Sequence, residues 1–130
     1  MNYTVEFRED QKIVLATAAG EWDATTDNAM LYRVLKTVDI TGSSRVLLDI
    51  RGLRFNLPMF QIFERAKEVK KERQQFGKVS ARAAIVYFSS TPKVEEDMQF
   101  FENAARNRGL PYRIFKDVEE AIAWLINDKA

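Results

Sequence analysis

Apolar and polar residues alternate at the start of the chain. Tyr3, Val5 and Phe7 are separated by polar residues, which is the period of a β-strand with one buried face. The polar residues 8–12 indicate a turn, and a second, mostly apolar stretch at 13–19 is followed by a glycine. Because the connection is short, the two predicted strands should pair in the antiparallel sense.

The period then changes to that of a helix. Leu31, Val34, Leu35 and Val38 recur at intervals of three and four residues, which places them on one helix face. One of the polar residues 25–27 is expected to cap the start of this helix, because its side-chain oxygen can accept a hydrogen bond from a free backbone N–H group. The hairpin is therefore followed directly by a helix.

Strands and helices alternate through the middle of the chain. Residues 46–50 and 83–88 are short, almost wholly apolar runs, as in strands that are covered on both faces and are therefore parallel. The helix between them is expected over residues 56–76, where Gly77 permits the chain to leave it. Its core-facing side chains are predicted to be Met59, Ile62, Phe63, Ala66 and Val69.

The last third of the chain predicts a helix, a short strand and another helix. The third helix should begin at Pro92, after a cap formed by residues 89–91, and end at Gly109. A strand is expected at 112–115, and Asp117 should cap the final helix.

The element order β-β-α-β-α-β-α-β-α predicts an α/β fold in which residues 1–130 form one domain. Its central sheet should be mostly parallel, with an antiparallel hairpin at its start. This order resembles the STAS domain, the fold of bacterial anti-sigma-factor antagonists, and more closely a divergent STAS-like, CRAL-TRIO-like branch. Residues 49–55, DIRGLRF, resemble the motif at the end of a family strand, and residues 112–125 resemble the family's last strand and helix. The resemblance implies the scaffold of a regulatory domain.

The sequence departs from that family at its regulatory residue. The antagonists are switched by phosphorylation of a serine or threonine at the start of the helix after the motif, and this position falls at about Pro58. No serine, threonine or tyrosine occurs between Arg45 and Val79. The phosphorylation switch therefore cannot be transferred, and the resemblance extends to the scaffold alone.

Composition excludes several classes of chemistry. The chain has no cysteine and no histidine, so a thiol nucleophile, a Cys/His metal site and the commonest general base are missing. Asp23, Asp49 and Tyr87 could converge near the strand ends, but they match no catalytic motif. No catalytic residue, metal or cofactor is predicted, and the protein is not expected to be an enzyme.

Charge and hydropathy indicate where the protein acts. The 20 basic and 19 acidic residues are interspersed and give a net charge of +1, without the field that recruits nucleic acid. The basic residues within 67–73 alternate with glutamates at helical spacing, as on a solvated helix face. Without a signal-peptide pattern or a long apolar run, a cytoplasmic protein with at most peripheral membrane contact is expected.

Ligands of an open parallel sheet bind beside the carboxyl ends of its strands, so residues there are candidates for a site. Trp22 either contributes to a site or covers the core, and the second interpretation is favoured because large aromatic side chains are usually mostly buried. Arg51 and Arg54 flank a helix start, where free N–H groups favour anions. The alternative is that they are solvated loop residues, paired with an acid such as Asp23 or Asp49.

The second helix begins with more apolar residues than one buried face requires. Leu57, Met59 and Phe60 cover more than one side of it. Surplus apolar surface of this kind marks a partner, a dimer interface or a hydrophobic ligand, unless a neighbouring loop covers it.

Two functions fit these features. The leading hypothesis is a non-enzymatic regulatory or scaffolding module that binds a protein partner, or a second copy of itself as a dimer, through the start of the second helix. The alternative is a carrier or sensor of a small amphipathic or acidic ligand, with Phe55, Phe60 and Tyr87 lining a pocket and the arginines holding the acidic group. The predicted binding residues are Trp22, Arg51, Arg54, Phe55, Leu57, Met59, Phe60 and Tyr87.

Overall fold

Strands and helices alternate in the computed structural model, which describes residues 1–77 and 81–127. The strands are β1 (Asn2–Arg8), β2 (Ile13–Glu21), β3 (Arg45–Arg54), β4 (Arg82–Val86) and β5 (Tyr112–Phe115). The helices are α1 (Ala24–Thr41), α2 (Met59–Phe76), α3 (Pro92–Asn107) and α4 (Val118–Ile126). This order of elements is the one that the sequence predicts.

All five strands form one sheet in the order β1-β2-β3-β4-β5. β1 is antiparallel to β2, and every later pair of neighbours is parallel. The predicted α/β fold, with a mostly parallel sheet and an antiparallel hairpin at its start, is confirmed. Because each crossover advances in the same direction, α1, α2 and α3 lie on one face of the sheet, while α4 lies on the other.

Alternate residues of each strand face the two helical layers. In β2, Val14 and Ala16 pack in the larger core with α1, α2 and α3, whereas Ile13 and Leu15 pack with α4. In β4 the four residues after Arg82 are all buried, as expected for a strand that is covered on both sides. The sheet therefore has its wider core on the side of the three crossover helices.

Three helix ends differ from the prediction. α2 begins at Met59 rather than at residue 56, with Pro58 at its N-cap position. The residue that caps α1 is Asp23, whose Oδ1 accepts a hydrogen bond from the Thr26 backbone N–H at 2.8 Å. An aspartate suits this position because its charge also interacts favourably with the helix dipole. α3 ends at Asn107 rather than at Gly109, because the Arg108 N–H bonds to the Ala105 carbonyl and Gly109, at φ +79°, reverses the chain.

β3 continues through residues 51–54, where the sequence predicts a loop. Thr17 pairs with Asp49 but Ala19 pairs with Gly52, so β3 carries one additional residue at this point. A Cβ atom on Gly52 would lie 3.1 Å from the Ala19 Cβ, so glycine permits the close approach of the two strands. The irregular pairing brings Arg54 to the carboxyl edge of the sheet.

Candidate functional site

Two cavities adjoin near the carboxyl ends of the parallel strands. The inner cavity lies between the sheet and the layer of α1, α2 and α3, and its volume is about 140 Å³. The outer cavity lies between the end of β3, with the residues that follow it, and the segment that joins β4 to the start of α3. Its volume is about 510 Å³. Leu53, Phe55 and Asp97 line both cavities, so the two share part of their walls.

The inner cavity has a mostly apolar wall because side chains from both layers end there. Leu48 and Ile50 alternate along β3, and Leu31, Val34 and Leu35 recur along one face of α1. The remaining apolar residues of its wall include Met30, Val46, Leu57, Ile62, Val69, Ile85, Met98 and Phe101. The sheet and the helices therefore enclose a space between them that these side chains do not fill.

A group of polar side chains lies at the start of α1, in the wall of the inner cavity. Asp27 Oδ2 accepts a hydrogen bond from Trp22 Nε1 at 2.9 Å and pairs with Arg65 Nε at 3.0 Å. Arg65 also donates to Asn28 Oδ1 and to the Asp27 carbonyl. The side chains of Arg65 and Asp27 are only 14% and 12% exposed. This shielded ion pair ties α2 to α1, and Trp22 forms part of the cavity wall.

Lys93 connects the start of α3 with the segment before α2. Its Nζ pairs with Asp97 Oδ2 at 2.7 Å and donates to the Leu57 carbonyl at 3.0 Å. Asp97 is buried, and a buried carboxylate is costly unless a cation accompanies it. Lys93 therefore compensates the charge of Asp97 and positions Leu57 over the inner cavity.

Cations outnumber acids in the wall of the outer cavity. Arg51, Arg54 and Lys93 line it together with Asp97. Arg51 pairs with Asp49 at 2.7 Å, and hydrogen bonds from its guanidinium lower the pKa of Asp49. Arg54 is exposed, and its side chain forms no hydrogen bond or ion pair within residues 1–77 and 81–127. The predicted pairing with an acid thus describes Arg51 but not Arg54.

The first turns of α2 expose apolar side chains. Met59, Phe60 and Phe63 are 52%, 71% and 37% exposed, and we call these three residues the α2 apolar surface. The Arg108 guanidinium lies 4.4 Å from the centre of the Phe63 ring, and Lys67 Nζ lies 5.6 Å from it. Aromatic rings beside cations are common at binding interfaces.

α2 buries a narrower stripe than the sequence predicts. The buried residues are Ile62, Ala66, Val69 and Arg73. They follow the spacing i, i+4, i+7 and i+11 of a single helix face. The prediction that Met59 and Phe63 face the core is wrong, because Met59 begins the helix and Phe63 lies about 100° around it from Ile62.

Tyr87 belongs to a polar network between β4 and α3. Its ring is buried, and its hydroxyl donates to Glu95 Oε1 at 3.1 Å. Burial and, to a smaller extent, the bond to Glu95 raise the pKa of Tyr87 to about 12. Lys116 and Ser89 also contact the Glu95 carboxylate, and both lower its pKa. The network joins the ends of β4 and β5 to the first turn of α3.

The three aromatic residues predicted to line one pocket do not share either of the two cavities. Phe55 lines both cavities, whereas Phe60 and Tyr87 line neither of them. Phe60 faces outward and Tyr87 is directed to Glu95. Leu57 lines the inner cavity, and Leu53 lines both cavities.

The three residues considered for catalysis each have a separate partner. Asp23 accepts hydrogen bonds from the Thr26 N–H and hydroxyl, which lower its pKa. Asp49 is paired with Arg51, and the Tyr87 hydroxyl is bonded to Glu95. The residues of the described ranges also include no group of three acids placed to hold a metal ion, and no helix there is long and apolar enough to cross a membrane.

Except for Tyr87, the predicted residues divide between the two cavities and the α2 apolar surface. Trp22 and Leu57 line the inner cavity, Arg51 and Arg54 line the outer one, and Phe55 lines both. Four residues outside the prediction also shape the site, namely Asp27, Arg65, Lys93 and Asp97. The i, i+4 spacing of the last two is a signal for an ion pair. No local pattern connects Asp27 with Arg65, because they are on different helices.

No protein-family model matches the sequence, and no curated protein matches it. Solved structures do match it. One is the crystal structure of an anti-sigma factor antagonist from Mycobacterium paratuberculosis, with a TM-score of 0.58 and 13% sequence identity, over 95% of this chain and 94% of that chain. At this identity the likeness shows the fold. The predicted STAS-like fold, the fold of an anti-sigma factor antagonist, is thus confirmed.

Proposed function

We propose that this protein is a non-enzymatic regulatory or scaffolding module that binds a protein partner, or a second copy of itself, through the start of α2. The observation that carries this proposal is the α2 apolar surface. Phe60 in particular is 71% exposed at the first turn of the helix. Transfer of a phenylalanine side chain from water to a buried site is worth about 2 kcal/mol, so its exposure is a cost that a partner would remove.

The composition of the surface supports an interface. Aromatic residues, methionine and arginine are enriched at the centres of protein interfaces. The α2 apolar surface contains two aromatic residues, Phe60 and Phe63, and one methionine, Met59. Arg108 lies against the Phe63 ring. A partner that covers the rings would also exclude water from the contact between Arg108 and Phe63. Exclusion of water strengthens a cation–π interaction.

The fold supports the same proposal. The matching protein from Mycobacterium paratuberculosis is, by its name, an antagonist of an anti-sigma factor. A scaffold used in regulation is consistent with a binding module here. Because Pro58 precedes α2 and the helix contains no hydroxyl side chain, binding at this surface is not switched by phosphorylation of α2 itself.

Native mass spectrometry of the untagged protein, purified gently from its own source, tests the proposal. We expect a mass that is a multiple of the chain or that includes a second polypeptide. Phe60→Asp should abolish this association, because it places a charge in the apolar contact. Ile40→Asp is the matched control, since Ile40 is 74% exposed near the end of α1, at the opposite end of β3.

The outcomes separate clearly. Loss of association in Phe60→Asp but not in Ile40→Asp supports the α2 apolar surface as the interface. Equal association of both variants and the wild type contradicts that assignment. A bare monomer in the wild type contradicts stable association altogether.

A further inference from the structure

The inner and outer cavities have opposite chemical characters. The inner one has a mostly apolar wall, and the outer one has three cationic side chains and one acid in its wall. They meet at Leu53, Phe55 and Asp97. An apolar chamber beside a cationic one matches a molecule with an apolar portion and an anionic group.

The volume of the inner cavity limits the apolar portion. A cavity of about 150 Å³ lined by aliphatic and aromatic residues holds a molecule the size of benzene. The inner cavity, at about 140 Å³, therefore has room for about six carbon atoms. A sterol or a long acyl chain is too large for it.

The two carboxylates in the wall of the inner cavity do not require a polar ligand. Asp27 is bonded to Trp22 and Arg65, and Asp97 is paired with Lys93. A ligand group placed there gains chiefly from contact with apolar side chains. The inner cavity therefore selects for hydrocarbon.

The outer cavity favours an anion. Arg54 is not engaged by the described residues, and Lys93 is half exposed, so both can contact a solute. The residues around them include Ser90 and Thr91 at the start of α3, whose N-terminal dipole also favours negative charge. A carboxylate can accept two hydrogen bonds from a guanidinium such as that of Arg54.

We propose that the two cavities form one binding site for a small amphipathic carboxylate with about six to eight carbon atoms. Its chain occupies the inner cavity, passes between Leu53 and Phe55, and presents the carboxylate to Arg54 and Lys93. This site is separate from the α2 apolar surface, and the proposal does not depend on association with a partner.

Isothermal titration calorimetry of the full chain tests this proposal with three probes. Octanoate should bind with a stoichiometry of one per chain. Acetate, which lacks the chain, should show no binding at the same concentrations. 1-Octanol, which lacks the charge, reports on the inner cavity alone.

Variants separate the two halves of the site. Arg54→Gln should weaken octanoate binding roughly tenfold, the effect of losing one charge-assisted contact, and leave 1-octanol binding unchanged. Arg33→Gln is the control, because Arg33 is an exposed arginine of α1 outside both cavities. It should change neither affinity.

Filling the inner cavity tests the position of the chain. Val34 lies in its wall, so Val34→Phe should weaken both octanoate and 1-octanol at least roughly tenfold by occupying their space. If Val34→Phe does not fold, Val34→Leu is the alternative. It fills less of the inner cavity and should still weaken the binding of both octanoate and 1-octanol. A circular dichroism spectrum and a cooperative unfolding transition establish that each variant is folded.

Several results would overturn the proposal. The first is that octanoate does not bind to the wild type. The second is that several octanoate molecules bind to each chain, as in detergent-like adsorption. The third is that Arg54→Gln and the wild type bind octanoate with equal affinity. Undiminished octanoate binding in a folded variant with a filled inner cavity would overturn it as well.

Discussion

Arginine side chains have different partners at the two edges of the sheet. Arg45, Arg73 and Arg82 lie at the amino edge, and each donates to a backbone carbonyl oxygen. Arg51 and Arg54 lie at the carboxyl edge, where Arg51 pairs with a carboxylate and Arg54 faces the outer cavity. The first group belongs to the fold, whereas the second is accessible to a solute.

The backbone groups at the two edges differ in kind. The arginines of the amino edge donate to the carbonyl oxygens of Gln11 in the hairpin turn, of Ala81 before β4, and of Trp124 and Asn127 at the end of α4. Helices begin at the carboxyl edge, and their free N–H groups are met by acceptors such as Asp23, Thr91 and Asp117. Arginine can only donate, so it bonds to these carbonyl groups at the amino edge; at the carboxyl edge Arg51 pairs with the Asp49 carboxylate and Arg54 remains available.

The strongest test of the comparison is Arg73→Ala. Arg73 is 1% exposed, donates to the Ala81 carbonyl at 2.6 Å, and lies 4.8 Å from the centre of the Tyr112 ring. Its removal should lower the free energy of unfolding by about 3 kcal/mol, because a buried carbonyl loses a charged donor and packing is lost. Urea denaturation measures this change, with Gln74→Ala, an exposed neighbour, as the control. Equal stability of the two variants would show that this arginine is not structural.

Ser43→Ala should have the next largest effect. The Ser43 hydroxyl donates to the Lys12 carbonyl at 2.6 Å and accepts from the Arg45 N–H at 3.1 Å, which joins the starts of β2 and β3. Loss of this buried bridge should cost about 1–2 kcal/mol of unfolding free energy. The exposed Ser44 provides the control, since Ser44→Ala removes a hydroxyl beside it. A loss below about 0.5 kcal/mol would place Ser43 among ordinary surface residues.

Asp49→Asn tests the Asp49–Arg51 pair at the carboxyl edge through the pH dependence of protein stability. The Arg51 guanidinium lowers the pKa of Asp49 below its ordinary value of 3.8, so the folded state favours the charged carboxylate. The contribution to stability is therefore present above about pH 4 and is lost as the pH falls further. We expect a difference of less than about 1 kcal/mol at pH 7, because Arg51 is half exposed. Between pH 7 and pH 3 the free energies of unfolding of the wild type and the variant should converge. A difference in free energy that is the same at every pH would mean that the charge pair contributes nothing to stability.

Arg54→Gln should change stability least. Because its side chain has no partner within the described residues, the free energy of unfolding should stay within about 0.5 kcal/mol of the wild type. The same urea denaturation used for Arg73→Ala measures it. A loss comparable to that of Ser43→Ala would remove the distinction between the two edges.

Part of the candidate site could be predicted from the sequence. Arg51 and Arg54 follow an apolar strand run, and a parallel sheet places such residues at its carboxyl edge. The surplus of apolar residues at the start of α2 likewise predicts the exposure of Phe60, which is found. The inner cavity could not be predicted, since it depends on how closely Val34 of α1 and Ile85 of β4 approach, and no sequence pattern contains that distance.

Local periodicity by itself determined the order of strands and helices, the hairpin at the start and the parallel sheet, because hydrophobic spacing and caps act within a few residues. The absence of cysteine, histidine and a hydroxyl residue near Pro58 also determined which chemistries are excluded. Only the tertiary structure decided that Asp27 pairs with Arg65, that Tyr87 is directed to Glu95 and not to a pocket, and that Met59 and Phe63 are exposed. Those outcomes depend on the packing of elements that are distant along the chain.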